Sequence, residues 1–311
     1  MNIGILGTGF GAYHAELFST INDVNTIYVF GRNPEKLKNL ESRLGIHPVT
    51  DINEIMENDK IDLVDICLPS NLHCTYALQA LKHNKHVLCE TPVATNIADA
   101  IAMQTAQQKS RKLLMVDLFM RFEHAYQVLA SIVKSGEYGK LQKLQIQRNP
   151  PPIWGNLGPN NIVTALMTHD IDFVSYLMGR PEKMQVEKVL GKVGQYSVSL
   201  LCSYGNAFAE INASSMMPMG YPFSVSYEAI LDNAVVRYYE DRYKGQNDRI
   251  DTKLTLYTEN ASKDIIPHND CYYEMIRYAV KMVQSAEKPI NDISDAVISM
   301  DMALRIQDLI I

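Results

Sequence analysis

The chain has 311 residues, 47% of them hydrophobic and 21% charged, with a net charge of −6. This length suits about two domains with sizeable cores, and the acidic balance gives no footprint for nucleic acid or an anionic membrane. No apolar run reaches the ~18 residues of a membrane span, and the five cysteines form no C-x-x-C pair, so they read as reduced thiols of a cytoplasmic protein and no metal site is expected.

Asn2 to Leu6 is a short apolar run, the size of one buried parallel strand, and no basic-then-apolar leader is expected. It is followed by Gly7-Thr8-Gly9-Phe10-Gly11-Ala12, the pattern G-x-G-x-x-A. Gly7 permits a tight turn, Gly9 lets a pyrophosphate approach the backbone, and Ala12 lets the next helix, read as Tyr13 to Ile21, lie close on the strand. A helix N-terminus placed there offers free N–H groups to phosphates, which points to dinucleotide binding by Gly7 to Ala12. Tyr13 and His14 read as packing residues of that helix. The other reading of the pattern is an ordinary strand–helix turn.

Thr26 to Phe30 is a second strand, ending at Gly31-Arg32-Asn33, and Pro34 then starts a helix, Glu35 to Leu44. An acidic residue at this strand end would bind the adenosine ribose and repel a 2′-phosphate. Gly31 instead leaves room and Arg32 can clamp a phosphate, which favours NADP over NAD, with a plain surface arginine as the other reading. Short elements at 48–50 and 52–58 lead to a buried strand, Ile61 to Leu68, and a helix, Cys74 to His83. A strand Lys85 to Cys89, a helix Ala98 to Ser110 and a strand Leu113 to Asp117 complete the alternation. It predicts a doubly wound parallel sheet in a dinucleotide-binding domain, residues 1–118. Right-handed crossovers put the loops at the strand ends on one edge, so Leu68, Pro69, Asn71, His73, Glu90 and Thr91 join the expected cofactor residues. Asp117 ends a strand, where a ligand role and a turn role read equally.

From residue 119 the pattern changes. A helix, Glu123 to Ser135, stops at Gly136, and a strand Leu141 to Arg148 leads to the stiff run Pro150-Pro151-Pro152 and Trp154, the only tryptophan. A helix spans Ile162 to Met178. Strand-like segments follow at 183–188, 197–204, 207–213, 224–231, 234–239 and 253–257, with a hairpin turn at Asp232-Asn233. Two helices, Cys271 to Ala286 and Ser294 to Ile310, close the chain. Residues 119–311 are therefore expected to form a substrate-binding and oligomerisation domain of α+β class with a large, mostly antiparallel sheet.

The run Cys67 to Pro92 resembles the glucose-fructose oxidoreductase, inositol dehydrogenase and MocA family (Gfo/Idh/MocA), whose members carry T-P-x-x-x-H and then G-K-H-V-x-x-E-K-P. Pro69, Asn71, His73, Lys85, His86, Val87, Glu90 and Pro92 match. Arg121-Phe122, Ser135 to Gly139, and His169 with Asp172 match later landmarks. The resemblance implies an NAD(P)-dependent oxidoreductase of a small polar substrate such as a sugar, a cyclitol or a related carbonyl or imine compound, and a homodimer formed through the C-terminal sheet. It places Arg121, His124, Trp154 and His169 toward substrate, although His124 also reads as a capping or surface residue. The departures are Thr91, where the family has its catalytic lysine, and Ala165, where Asp or Asn is common. A threonine hydroxyl is too weak an acid to replace that lysine. The catalytic set is then His169, Asp172 and Thr91, and the alternative is a non-catalytic dinucleotide-binding sensor. On the Ile162 to Met178 helix, Val163, Met167, Ile171, Val174 and Met178 make one apolar stripe. Ala165, His169, Asp172 and Tyr176 lie opposite it, where Asp172 can orient the imidazole. Spacing alone favours a solvated polar face; the resemblance favours a working histidine.

Overall fold

The computed structural model describes residues 1–310 except 154, 156, 160, 193, 245–247, 268, 269 and 286. The chain divides into two compact units, Met1–Phe122 with Asp270–Val297, and Glu123–Asn269 with Ile298–Ile311. The C-terminal return at Asp270 thus adds to the first unit a segment that a contiguous division at residue 118 leaves with the second.

In the first unit the strands are β1 (Asn2–Leu6), β2 (Thr26–Phe30), β3 (His47–Val49), β4 (Leu63–Ile66), β5 (His86–Cys89) and β6 (Leu114–Val116). They alternate with helices α1 (Phe10–Ser19), α2 (Pro34–Leu44), α3 (Asn53–Met56), α4 (His73–Lys82) and α5 (Ile97–Ser110). All pairings are parallel, and the strand order is β3-β2-β1-β4-β5-β6. This is a doubly wound sheet whose direction of winding reverses between β1 and β4. Ligands of such sheets bind outside the carboxyl ends of the strands at that reversal. Buried Ile3, Ile5, Val29, Leu63 and Leu88 form the sheet's part of the core. Local chemistry sets the helix ends: Asn33 Oδ1 accepts from the backbone N–H groups of Glu35 and Lys36, and Pro34 opens α2. Helix α1 begins at Phe10, earlier than the apolar spacing indicates, because the Gly9 carbonyl already accepts from Ala12 N at 3.2 Å.

The second unit holds α6 (His124–Ser135), β7 (Leu141–Asn149) and α7 (Thr168–Met178). Its other strands are β8 (Lys183–Leu190), β9 (Tyr196–Tyr204), β10 (Ala207–Ser214), β11 (Phe223–Leu231), β12 (Ala234–Tyr243), β13 (Arg249–Thr258) and β14 (Ser262–Ile265). The eight strands run in the order β14-β13-β12-β11-β7-β10-β9-β8, antiparallel except for the parallel pair β7–β10. Period-two burial along β11 marks one covered face. Tyr227 on that strand donates from its hydroxyl to Ala125 O at 2.7 Å, and the Tyr126 ring meets Phe173 edge-on at 4.7 Å, so α6 and α7 cover this face. Strand β14 escapes the sequence reading because it is four residues long and largely exposed, with no apolar alternation. The chain closes with α8 (Cys271–Val283), in the first unit, and α9 (Ile293–Ile310), within which the division between units falls.

The helix expected over 162–178 is not uniform. Ile162–Met167 winds as a π-helix and only Thr168–Met178 is α-helical. Val163, Met167, Ile171 and Val174 are buried as the apolar stripe requires. Asp172 departs from the expected exposed face, being buried to 2%. Asp170 to Val174 are all buried, so this stretch of α7 is covered on every side and has no solvated face for Asp172 to occupy.

Candidate active site

The loop between β1 and α1 is shaped by what its glycines exclude. Gly7 has φ of +119°, and a Cβ there would stand 2.5 Å from the Cys67 carbonyl oxygen, so only glycine fits between β1 and the end of β4. Gly9, the residue preceding α1, would meet nothing within 4 Å, which leaves its face open. At Gly11 a Cβ would press on Ile5 Cγ2 at 2.9 Å and Cys67 Cβ at 3.2 Å. The close approach of helix to strand is therefore made at Gly11, with half-buried Ala12 packed against the same core beside it. The N-terminus of α1 has no side-chain cap and no acidic residue in its first turn. Its first N–H groups and dipole thus face the open side of Gly9, which fits a pyrophosphate.

A segment about 260 residues away braces this loop. Tyr13 donates from its hydroxyl to Asp270 Oδ2 at 2.9 Å, while Asp270 Oδ1 caps α8. The Phe10 ring, partly exposed, packs on Tyr13, His14 and Tyr272, with centroids 5.6, 5.0 and 5.3 Å away. No short-range motif signals Asp270 or Tyr272, and the sequence reading did not find them.

At the end of β2, Gly31 is explained by packing: a Cβ would stand 2.5 Å from Thr8 Cγ2 and 3.3 Å from Leu37 Cδ2. Arg32 is exposed, and the Asn33 side-chain oxygen is occupied by capping α2. At the end of β4, Leu68 is half-buried, while Pro69 and Asn71 are exposed. His73 is buried, with Nδ1 3.0 Å from Pro92 O and Nε2 2.7 Å from Leu68 O, so it ties the β4 loop to the β5 loop. Burial pushes its pKa down, and these carbonyls partly oppose the shift. Thr91 is half-buried and its N–H donates to Glu90 Oε2 at 3.1 Å. Arg121, buried to 2%, gives Nη1 to Ile290 O and to Asp295 Oδ2, the latter at 2.9 Å, which are structural contacts within the first unit.

The first unit also gathers charge beneath this loop. His14 Nδ1 lies 2.9 Å from Asp65 Oδ2, and His14 Nε2 lies 3.4 Å from Glu90 Oε1 and 3.8 Å from Asp117 Oδ2. Burial, and then the Asp117 carboxylate, hold Glu90 well above the usual carboxylate range, and burial raises Asp117. His14 is shifted upward on balance: burial opposes its charge, but Asp65 and Asp117 outweigh it. Sequence reading placed Asp117 at a strand end and His14 as a packing residue but did not bring them together, because four separate segments supply the cluster.

In the second unit, His169 and Asp172 stand one turn apart on α7, and His169 is half-buried. Burial, and then the Arg148 guanidinium, push the His169 pKa down to about 3. Arg148 itself makes a two-point contact with Asp170, Nε to Oδ2 and Nη2 to Oδ1, both at 2.7 Å. The sequence reading missed Arg148 and Asp170, since an Asp beside the expected His169 looks like one more helix-surface charge. Ala165 is exposed in the π turn, and His124 occupies the first position of α6. Trp154 lies outside the described residues.

Residues 1–118 match the family model described as the oxidoreductase family with an NAD-binding Rossmann fold. Among relatives, a myo-inositol 2-dehydrogenase of Thermotoga maritima is 26% identical over 93% of this chain and 90% of its own. A 4-carboxy-2-hydroxymuconate-6-semialdehyde dehydrogenase of a Sphingobium species is 24% identical over 84% and 86%. Among solved structures, an oxidoreductase from Agrobacterium radiobacter in complex with NAD+ superposes with a TM-score of 0.85 at 15% identity, covering 98% of this chain and 94% of that one. Among the described residues, no helix is long and apolar enough to cross a membrane.

Proposed function

Through its N-terminal 118 residues the chain belongs to the Gfo/Idh/MocA oxidoreductases, and on that premise we propose that it is an NAD(P)-dependent oxidoreductase of a small polar substrate of the sugar or cyclitol class. The observation that carries the reading is the open face of Gly9 in front of an uncapped, acid-free helix N-terminus at the winding reversal of a parallel sheet. When bound, the nicotinamide cofactor accepts or delivers the hydride. The backbone of Gly7 to Ala12 holds the pyrophosphate, and Leu68, Pro69, Asn71, Glu90 and Thr91 border the nicotinamide half. Arg32, exposed at the end of β2 with no acidic residue at position 31, supports a preference for NADP over NAD.

His169 carries the proton transfer. With its pKa near 3 it is neutral across the physiological range, so it enters the reaction as a base or a hydrogen-bond acceptor. Asp172 positions it and Thr91 orients substrate through its hydroxyl. The first unit is the cofactor domain and the second the substrate domain, which also carries the sheet for homodimer formation. The second reading, a dinucleotide-binding sensor, is favoured by Thr91 in place of the lysine.

Cofactor titration and a steady-state assay over sugars, cyclitols and related ketones and imines test both. NADP(H) is expected to bind roughly 10- to 100-fold more tightly than NAD(H), a preference that Arg32→Ala removes. His169→Ala is expected to lower turnover by about 10²–10⁴ while sparing cofactor affinity. Binding without turnover on any of these substrates would favour the sensor; no binding of either cofactor would sink both.

A further inference from the structure

The charges gathered beneath the β1–α1 loop do not cancel one another. His14, Asp65 and Asp117 are essentially inaccessible, and the Glu90 side chain is only 16% exposed. One part of the cluster is satisfied. Asp65 Oδ2 accepts from the Cys67 thiol at 3.5 Å and faces His14 Nδ1, and Glu90 Oε2 accepts from Thr91 N. The remainder is not: His14 Nε2 and Asp65 Oδ1 have no hydrogen-bond partner, and the Glu90 and Asp117 carboxyls face one another, an arrangement that only a shared proton or a cation can answer. Carboxyl groups buried this close together cannot all be ionised unless a cation answers them, and burying uncompensated charge is costly.

We propose that this cluster binds one divalent transition-metal ion, with His14 Nε2, Glu90 Oε1 and Asp117 Oδ2 as its ligands. The spacing suits an ion. Two ligand atoms each about 2.1 Å from a tetrahedral ion stand roughly 3.4 Å apart, against 3.4 and 3.8 Å here from Nε2 to the two oxygens. The outer contacts suit it too. A metal-bound imidazole characteristically gives its other ring N–H to a carboxylate, the place Asp65 holds at Nδ1. Glu90 keeps its second oxygen on Thr91 N, which leaves Oε1 aimed inward. Cys67 Sγ is close enough to His14 and Glu90 to be considered, all three ligand atoms lying within 4.8 Å of one another. It already donates to Asp65 Oδ2 at 3.5 Å, however, so it supports the site from outside. One imidazole with two carboxylates is a donor set for Zn²⁺, Mn²⁺ or Fe²⁺ rather than for Ca²⁺ or Mg²⁺ alone. The partly exposed Glu90 provides the route in. An ion here would pin the ends of β5 and β6 to α1, and through Asp65 the end of β4 as well. It would thereby hold the loop that begins at Gly7.

The test uses the full-length chain stripped with a chelator and titrated with Zn²⁺ by calorimetry and thermal melting. One tight equivalent and a raised Tm are expected for the native chain and for Cys67→Ser. An affinity at least ~100-fold weaker is expected for Asp117→Asn and for Glu90→Gln, two near-isosteric changes that report independently should one variant not fold. No tight equivalent in the native chain, a tight equivalent that survives these carboxamide variants, or its loss in Cys67→Ser would overturn the proposal. The readout is metal alone, so the proposal stands or falls independently of the cofactor reading.

Discussion

Each unit buries charge next to its candidate site, but they do so in opposite ways. In the second unit Arg148 and Asp170 meet fork to fork at 2.7 Å, each charge answered by the other. In the first, His14 faces three carboxylates and several of their oxygens remain unpartnered. A closed buried pair is a structural device whose charge also acts on its neighbour, here lowering His169. An open buried cluster has surplus charge that only a cation or protons can answer. Both are assemblies of ionisable residues on helix and strand ends, so residue type alone does not separate them.

Breaking the closed pair should have the largest effect. Arg148→Met strands Asp170 and is expected to cost about 3–5 kcal/mol in denaturant unfolding. Arg148→Met with Asp170→Leu should recover most of that loss, because two apolar residues replace both charges. The single variant should also relax His169 toward its ordinary pKa, which NMR titration of the imidazole reads directly. In the native chain His169 takes up its proton only near pH 3, whereas the unfolded chain takes it up near pH 6.5. Its contribution to stability is therefore present above about pH 6.5 and lost as pH falls toward 3. Removing Arg148 should flatten that acid limb; an unchanged limb would show that Arg148 does not act on His169.

Lys85 extends the comparison to a buried cation satisfied by carbonyls. It is buried to 1% and donates from Nζ to Asn58 O at 2.6 Å and Ile61 O at 3.2 Å. Lys85→Met is expected to cost about 1–3 kcal/mol, leaving two carbonyls without their donor, with no change in cofactor affinity. A loss of cofactor binding at full stability would move Lys85 from the structural group to the functional one.

The smallest effect sharpens the open side. In chelator, Asp117→Asn removes one buried carboxylate and is expected to raise stability by about 1 kcal/mol, roughly 1–2 °C in Tm for a chain of this size. A clear drop in Tm would mean that the Asp117 charge is already compensated and that the two clusters are alike.

Much of the fold was legible in the sequence because its signals are local. The apolar runs Asn2 to Leu6 and Ile61 to Leu68, the helix start at Pro34 and the turn at Asp232-Asn233 lie within a few residues of what they specify. The turn at Gly7 read correctly for the same reason, since its φ of +119° belongs to its own backbone. The reading weakened where a second segment decides. Gly11, which the motif reading left without a role, is also a close-approach position because Ile5 and Cys67 press there. Gly31 looked like vacated space and is a packing requirement of Thr8 and Leu37.

By itself, the sequence determined the winding of the first unit, the sheet-rich character of the second and the position of the dinucleotide loop, all of which follow from hydrophobic period and backbone freedom. Only the tertiary structure decided that His14, Asp65, Glu90 and Asp117 meet, that Arg148 closes on Asp170, and that Tyr13 leans on Asp270. Charge acts through space over a few ångströms. Residues dozens to hundreds of positions apart acquire their chemistry only when strand order and the returning C-terminal segment bring them within that distance.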